Sequence, residues 1–175
     1  AGFISTGLNV VLLGPVPTPA VSFLTKQRKQ KAFGLVISAS HNTYLDNGIK
    51  LFNSKEEKIS SNLERRIEQY ILKLEVNGVK GFQIDDINLL GKASRLSQAQ
   101  DLYIEFCKSK VPELDLKGQK VVIDAANGAN YKIAPEIFEH LGAKVIKIAC
   151  EPNGKNINEN CGSTNPKNLS ENVLK

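Results

Sequence analysis

With 175 residues, 41% apolar and 23% charged, the chain has material for one ordinary domain or two small ones around a real core. No apolar run approaches the roughly 20 residues of a membrane helix, and no basic leader opens the chain, so neither a membrane partner nor a signal peptide is expected. The net charge of +5, from 23 basic and 18 acidic residues, suits an anionic small ligand.

The run from Leu8 to Leu13 is apolar and β-branched between Gly7 and Gly14, the pattern of a buried strand. Gly7 reads as the residue that closes a preceding helix. Pro15, Pro17 and Pro19 force an extended turn, and a short helix with Val21 and Leu24 follows. Its basic end, residues 26–31, has no interleaved aromatics and belongs to no nucleic-acid motif, so it reads as a solvated helix end and no nucleic-acid partner is expected.

A second buried strand is expected over 35–39, then a polar loop from Ser40 to Asn47, a positive-φ turn at Asn47-Gly48 and a strand over 49–52. Ser61 and Glu64 have the spacing of a capping box that opens a helix with Leu63, Ile67, Ile71 and Leu74 on one face. Residues 81–96 are short and extended. Ser97 and Gln100 repeat the capping-box spacing before a helix bearing Leu102, Tyr103, Phe106 and Cys107.

After Pro112 the pattern becomes strand (120–123), loop (124–128), helix with Ile133, Ile137, Phe138 and Leu141, a Gly142 stop, and strand (144–149). That is a βαβ unit and predicts a parallel pair. A last helix starts at Asn168. Cys107, Cys150 and Cys161 are odd in number and form no C-x-x-C, which argues against zinc or a disulfide framework and for reduced thiols in the cytoplasm.

In open α/β sheets ligands gather at the carboxyl ends of strands. The loop 40–47 sits at such an end and packs a hydroxyl, an imidazole, amides and a carboxylate into eight residues. On chemistry alone it is either a nucleophile loop or a polar structural loop, because Ser-His adjacency does not guarantee a hydrogen bond. The segment Ile37-Ser38-Ala39-Ser40-His41-Asn42, followed by Asp46-Asn47-Gly48-Ile49-Lys50, resembles the phosphoserine loop of the α-D-phosphohexomutases. Further matching stretches run from Gly14 to Ala20, Leu90 to Arg95, Tyr103 to Cys107, Asp124 to Gly128 and Glu151 to Asn158. The spelling of residues 44–50 and of 152–158 points to the glucosamine-phosphate branch, with the sister mutases of glucose or mannose phosphates and a non-catalytic phosphosugar-binding fragment as alternatives.

The resemblance implies an α/β fold of three-layer αβα domains with mixed sheets. Residues 1–96 would be the later part of the first domain, 97–118 a bridging helix and linker, and 119–175 the start of the second. The chain is thus expected to be an internal piece of a longer protein, in keeping with its lack of Met. The family's N-terminal Gly-Thr-Asp-Gly-x-Arg-Gly segment, its Asp-Gly-Asp-x-Asp-Arg metal loop, its sugar loop and its C-terminal phosphate loop do not occur in these residues.

The same resemblance makes Ser40 the phosphorylated residue, with Ser38 structural. It implies a phosphosugar substrate, a 1,6-bisphosphate of glucosamine as intermediate and activator, a homodimer, and Mg²⁺ held by an oxygen of the Ser40 phosphate and by an Asp-rich loop. Lys50 matches a family lysine proposed as general acid or base; a strand lysine facing water is the plainer alternative. His41 is a phosphate contact, a proton shuttle or a loop-ordering group. Asp124 and Asn127 fall in a turn that is mostly structural in the family. Thr43 stands where the family usually has Pro, which adds an N–H donor and removes no catalytic group.

Overall fold

The computed structural model describes residues 1–28, 32–76 and 89–174. The chain order is α1 (Gly2–Ser5), β1 (Val10–Leu12), α2 (Thr18–Gln27), β2 (Gly34–Ser38), β3 (Gly48–Phe52), α3 (Ser61–Val76), β4 (Ala93–Arg95), α4 (Ala99–Ser109), β5 (Lys120–Asp124), α5 (Ile133–His140), β6 (Lys144–Ile148) and α6 (Lys167–Val173). The pairings are mixed: β1 runs parallel to β4, β2 antiparallel to β3, and β5 parallel to β6. The expected βαβ unit is therefore present, with Val121 opposite Val145 and Ile123 opposite Lys147.

Two helix ends form as the glycines predict. Gly7 (φ 82°) and Gly142 (φ 93°) take the left-handed conformation. Around them the N–H groups of Leu8 and Ala143 reach back to the carbonyls of Phe3 and Phe138. The expected caps fare differently. It is Ser60, one residue ahead of Ser61, whose Oγ accepts the Leu63 N–H at 3.3 Å, while the Glu64 carboxylate pairs with Lys58 at 2.9 Å. Ahead of α4 no side chain caps the helix, because the Gln100 amide donates instead to the Pro15 carbonyl at 3.0 Å.

One cluster of buried side chains runs through the molecule: Val16, Ala20, Val21, Leu24, Val36, Ala99, Ile104 and Ile133. Helix α4 packs between α2 and α5. Phe106 stacks on Phe23 with ring centroids 4.0 Å apart, an arrangement that adds about 1 kcal/mol to the burial itself. Through this helix the loops after β2 and after β5 are held at one end of the molecule.

The strands expected to be buried are half covered. Ile37 in β2 is 69% exposed and Leu12 in β1 46%, because among the described residues each strand has a single partner and one covered face. On α3, Leu63 and Ile71 are also exposed; the side chain of Leu74 lies outside the described residues, as do Lys29, Gln30 and Lys31 of the basic run and residues 81–88 of the extended segment 81–96. No described helix is long and apolar enough to cross a membrane.

Candidate active site

The loop 39–47 joins β2 to β3 at the end where both strands stop. The expected positive-φ turn at Asn47-Gly48 does not form: Gly48 enters β3 directly, and Asn47 supports the chain reversal by donating from Nδ2 to the Tyr44 carbonyl at 2.8 Å. The left-handed residue of this loop is Ser40 itself, at φ 57°. That conformation costs a non-glycine residue about 1–2 kcal/mol and turns the side chain out of the strand direction. Ser38, half-buried at the end of β2, accepts the Ser40 N–H on its Oγ at 3.0 Å.

Ser40 is exposed, and its Oγ lies 3.5 Å from His41 Nδ1, at the outer limit of a hydrogen bond. Lys50 lies opposite Val36 in the β2–β3 register, so the pleat sends its side chain to the same face as buried Val36 and as Ser38. It is half-buried there, and does not stand on the open face with Ile37 and Ile49. Ser40, His41 and Lys50 come together on the wall of one open cleft of about 480 Å³.

The opposite wall belongs to the second half of the chain: Asp124 at the end of β5, Ala126 in the turn after it, Asn130, Asn158, Gly162 and Ser163. Asp124 accepts the Ala126 N–H on Oδ1 and the Gly162 N–H on Oδ2, both at 2.8 Å. Asn127, left-handed at φ 51°, ties the same turn to the loop after β6 by accepting the Glu151 N–H at 3.0 Å and donating to the Asn156 carbonyl at 3.2 Å. Both side chains thus make hydrogen bonds that hold the turn. From this wall Asn158 reaches across the cleft and donates from Nδ2 to the carbonyls of Ser40, at 3.0 Å, and Asn42, at 2.7 Å.

In the sequence Asn158 ends the family-like stretch 151–158, and nothing in that spacing assigns it a role. The usable signal was the density of Asn over 153–160, since Asn tolerates left-handed backbone; Asn158 and Asn160 indeed have φ 56° and 54°. His140 is exposed at the end of α5, outside the cleft. Cys161 is buried, and burial, with the charges of Asp124 and Glu159 adding, holds its thiol above the usual range; burial also pushes the Cys150 thiol up. Both stay protonated at neutral pH, which makes them poor nucleophiles.

Among the described residues no group of three or more His, Cys, Asp or Glu side chains is placed to hold a metal ion. Asp124, the one carboxylate among the described cleft residues, has both oxygens engaged by backbone N–H groups. These residues do not by themselves make an octahedral oxygen site for Mg²⁺. They do offer an exposed hydroxyl, a half-buried ammonium, an imidazole and several neutral donors around a space the size of a small polar ligand, a set suited to holding an anion and transferring a group to or from Ser40.

Two family profiles match the chain. "Phosphoglucomutase/phosphomannomutase, alpha/beta/alpha domain I" matches residues 1–77, and domain II of the same family matches residues 101–174. Among curated proteins, the phosphoglucosamine mutase of Pseudoalteromonas translucida is 49% identical over 175 residues, covering 99% of this chain and 37% of that protein. The phosphoglucosamine mutase of Neisseria gonorrhoeae is 50% identical, covering 99% of this chain and 38% of that protein. A solved structure described as a phosphoglucomutase/phosphomannomutase family protein, from Burkholderia thailandensis, superposes with a TM-score of 0.69 at 22% identity, covering 99% of this chain and 36% of the other, and so shares the fold. The chain thus spans a little over a third of the length of the relatives it matches. With domain I and domain II of one family matched in succession along it, the chain belongs to the phosphoglucomutase/phosphomannomutase family.

Proposed function

We propose that these residues are the phosphoserine-bearing part of a phosphoglucosamine mutase, which interconverts glucosamine 6-phosphate and glucosamine 1-phosphate and feeds the synthesis of UDP-N-acetylglucosamine and cell-wall precursors. The observation that carries the reading is Ser40: an exposed hydroxyl on a left-handed residue, facing a cleft shared with Lys50 and His41 and walled by the second domain. The names of the relatives, at about half identity over nearly all of this chain, support the glucosamine sugar.

Phosphorylated Ser40 donates its phosphoryl group to the 1-hydroxyl of glucosamine 6-phosphate. The Ser40 Oγ–P bond breaks, a new O–P bond forms at C1, and the hydroxyl proton passes to a base on the cleft wall, the part assigned to Lys50 or His41. The bisphosphate turns in the site, Ser40 Oγ takes back the phosphoryl group from O6, and glucosamine 1-phosphate leaves. The ammonium of Lys50 balances charge on the transferring group in either direction. Mg²⁺ belongs to the same proposal: a phosphate on Ser40 would offer it an oxygen, the family's Asp-rich loop, which does not occur in these residues, would supply the carboxylates, and the ion would neutralise charge on the transferring group. A homodimer in the cytoplasm completes the reading.

The test is a coupled assay of the full-length protein with Mg²⁺, a trace of the 1,6-bisphosphate and each hexose phosphate in turn. Glucosamine 6-phosphate is expected to be the preferred substrate. Activity confined to mannose or glucose phosphates would remove the glucosamine assignment and leave Ser40 standing. The 175 residues alone are expected to show no turnover, because the family's Asp-Gly-Asp-x-Asp-Arg metal loop and its sugar and distal-phosphate loops do not occur in them. Robust turnover by them would contradict that account.

A further inference from the structure

Ser40 has to present a reactive group in one direction from a backbone conformation that is unfavourable for serine. Within its own domain four bonds to or from the backbone restrain the loop: Ser38 Oγ accepts the Ser40 N–H, the Ala39 carbonyl accepts the Asn42 N–H at 3.0 Å, the Thr43 carbonyl accepts the Asp46 N–H at 3.1 Å, and the Tyr44 carbonyl accepts from Asn47 Nδ2. None of them touches the carbonyl of Ser40 or of Asn42. Both carbonyls are taken by one amide, Nδ2 of Asn158, from 118 and 116 residues away.

Asn158 is itself held. Its N–H donates to the Ala126 carbonyl at 2.9 Å, and its φ of 56° aims the side chain across the cleft. Beneath it, Gly162 packs so closely that an added Cβ would lie 2.7 Å from the Ala126 Cβ and 3.2 Å from Asn158 Oδ1. The Asp124 carboxylate, at the end of β5, bonds the N–H groups of both Ala126 and Gly162. A strand end, two turns and a glycine therefore fix the amide that meets the Ser40 loop.

We propose that Asn158 is a positioning residue: it latches the second domain to the phosphoserine loop, holds Ser40 left-handed and so sets the direction of its Oγ toward substrate. The proposal rests on the reading of Ser40 as the phosphoryl carrier. Asparagine is suited on two counts, since it tolerates φ near +56° and its amide supplies two N–H donors to two carbonyls.

Asn158→Asp and Asn158→Gly, made in the full-length protein, both keep the backbone accessible and both lose the donors; they differ in charge. With the latch removed, kcat falls by about 10–100-fold at little-changed KM, the size expected of a misplaced reacting group. In parallel, hydrogen exchange at the Asn42 amide, measured on unphosphorylated protein, speeds up about tenfold or more, with no change in exchange in the β2–β3 strands. The aspartate variant does no better than the glycine one. Wild-type kcat in either variant, unchanged exchange at Asn42, or an equal rise in exchange throughout β2 and β3 would overturn the latch. Should Ser40 prove unphosphorylated in active protein, the mutase reading falls, and the exchange measurement still decides whether Asn158 holds the loop.

Discussion

Ser40→Ala in the full-length protein is expected to abolish mutase turnover, by at least about three orders of magnitude, while leaving the fold in place. The two parts of that expectation come from different observations. Stability is nearly untouched because the hydroxyl is exposed and its one side-chain contact, His41 Nδ1 at 3.5 Å, is marginal; such surface changes fall within about 0.5 kcal/mol. The left-handed φ is as awkward for alanine as for serine, so the backbone cost cancels. Turnover is lost because the account routes the phosphoryl group through Ser40 Oγ alone, and alanine has no atom to carry it; Ser38, the nearest hydroxyl in the chain, has its Oγ turned to the Ser40 N–H. Steady-state assay beside a thermal melt checks both parts. A variant that turns over at more than a hundredth of the wild-type rate would show that the reaction does not pass through this oxygen.

Lys50→Ala is expected to lower kcat by about two to four orders of magnitude with a smaller change in KM. The β2–β3 register directs its stem to the covered face beside Val36, and its head lines the cleft. Among the described residues it has no ion-pair partner. An ammonium so placed meets charge on a transferring phosphoryl group more strongly than it would in open water. Lys50→Arg keeps the charge but replaces a compact point charge that can release a proton with a planar cation that cannot, so it should restore substrate affinity without restoring kcat. A loss confined to KM in the alanine variant would reduce Lys50 to uniform substrate binding.

Local signals in the sequence were reliable where one element decides the outcome. Gly7 and Gly142 stop their helices as glycines in left-handed positions do, and the alternation of apolar runs from Lys120 to Ile148 reads directly as strand, helix and parallel strand. They misled where two neighbours compete. Ser60 and Ser61 both offer a hydroxyl to the start of α3, and Ser60 takes the cap; Gln100 has the spacing for a capping box but finds the Pro15 carbonyl instead. The Asn47-Gly48 pair has the residue types of a tight turn, yet the reversal is spread over residues 39–47 and its strain sits on Ser40. Hydrophobicity marked β1, β2 and α3 as having faces to cover without saying what covers them. At the site, the residues of one loop could be read together because they are adjacent in sequence. The opposite wall could not, since the bonds from Asn158 to Ser40 and Asn42 depend on how α4 packs α2 against α5, and no spacing pattern encodes a contact of that range.

Phosphopeptide mapping of the active, full-length protein tests the central claim most directly. Protein equilibrated with the 1,6-bisphosphate should carry a single phosphate, on Ser40, and chasing with glucosamine 6-phosphate should move that phosphate to the sugar at the rate of turnover. Phosphate on Ser38 or Ser60 in place of Ser40, or full activity from protein that never carries phosphate on Ser40, would contradict the account.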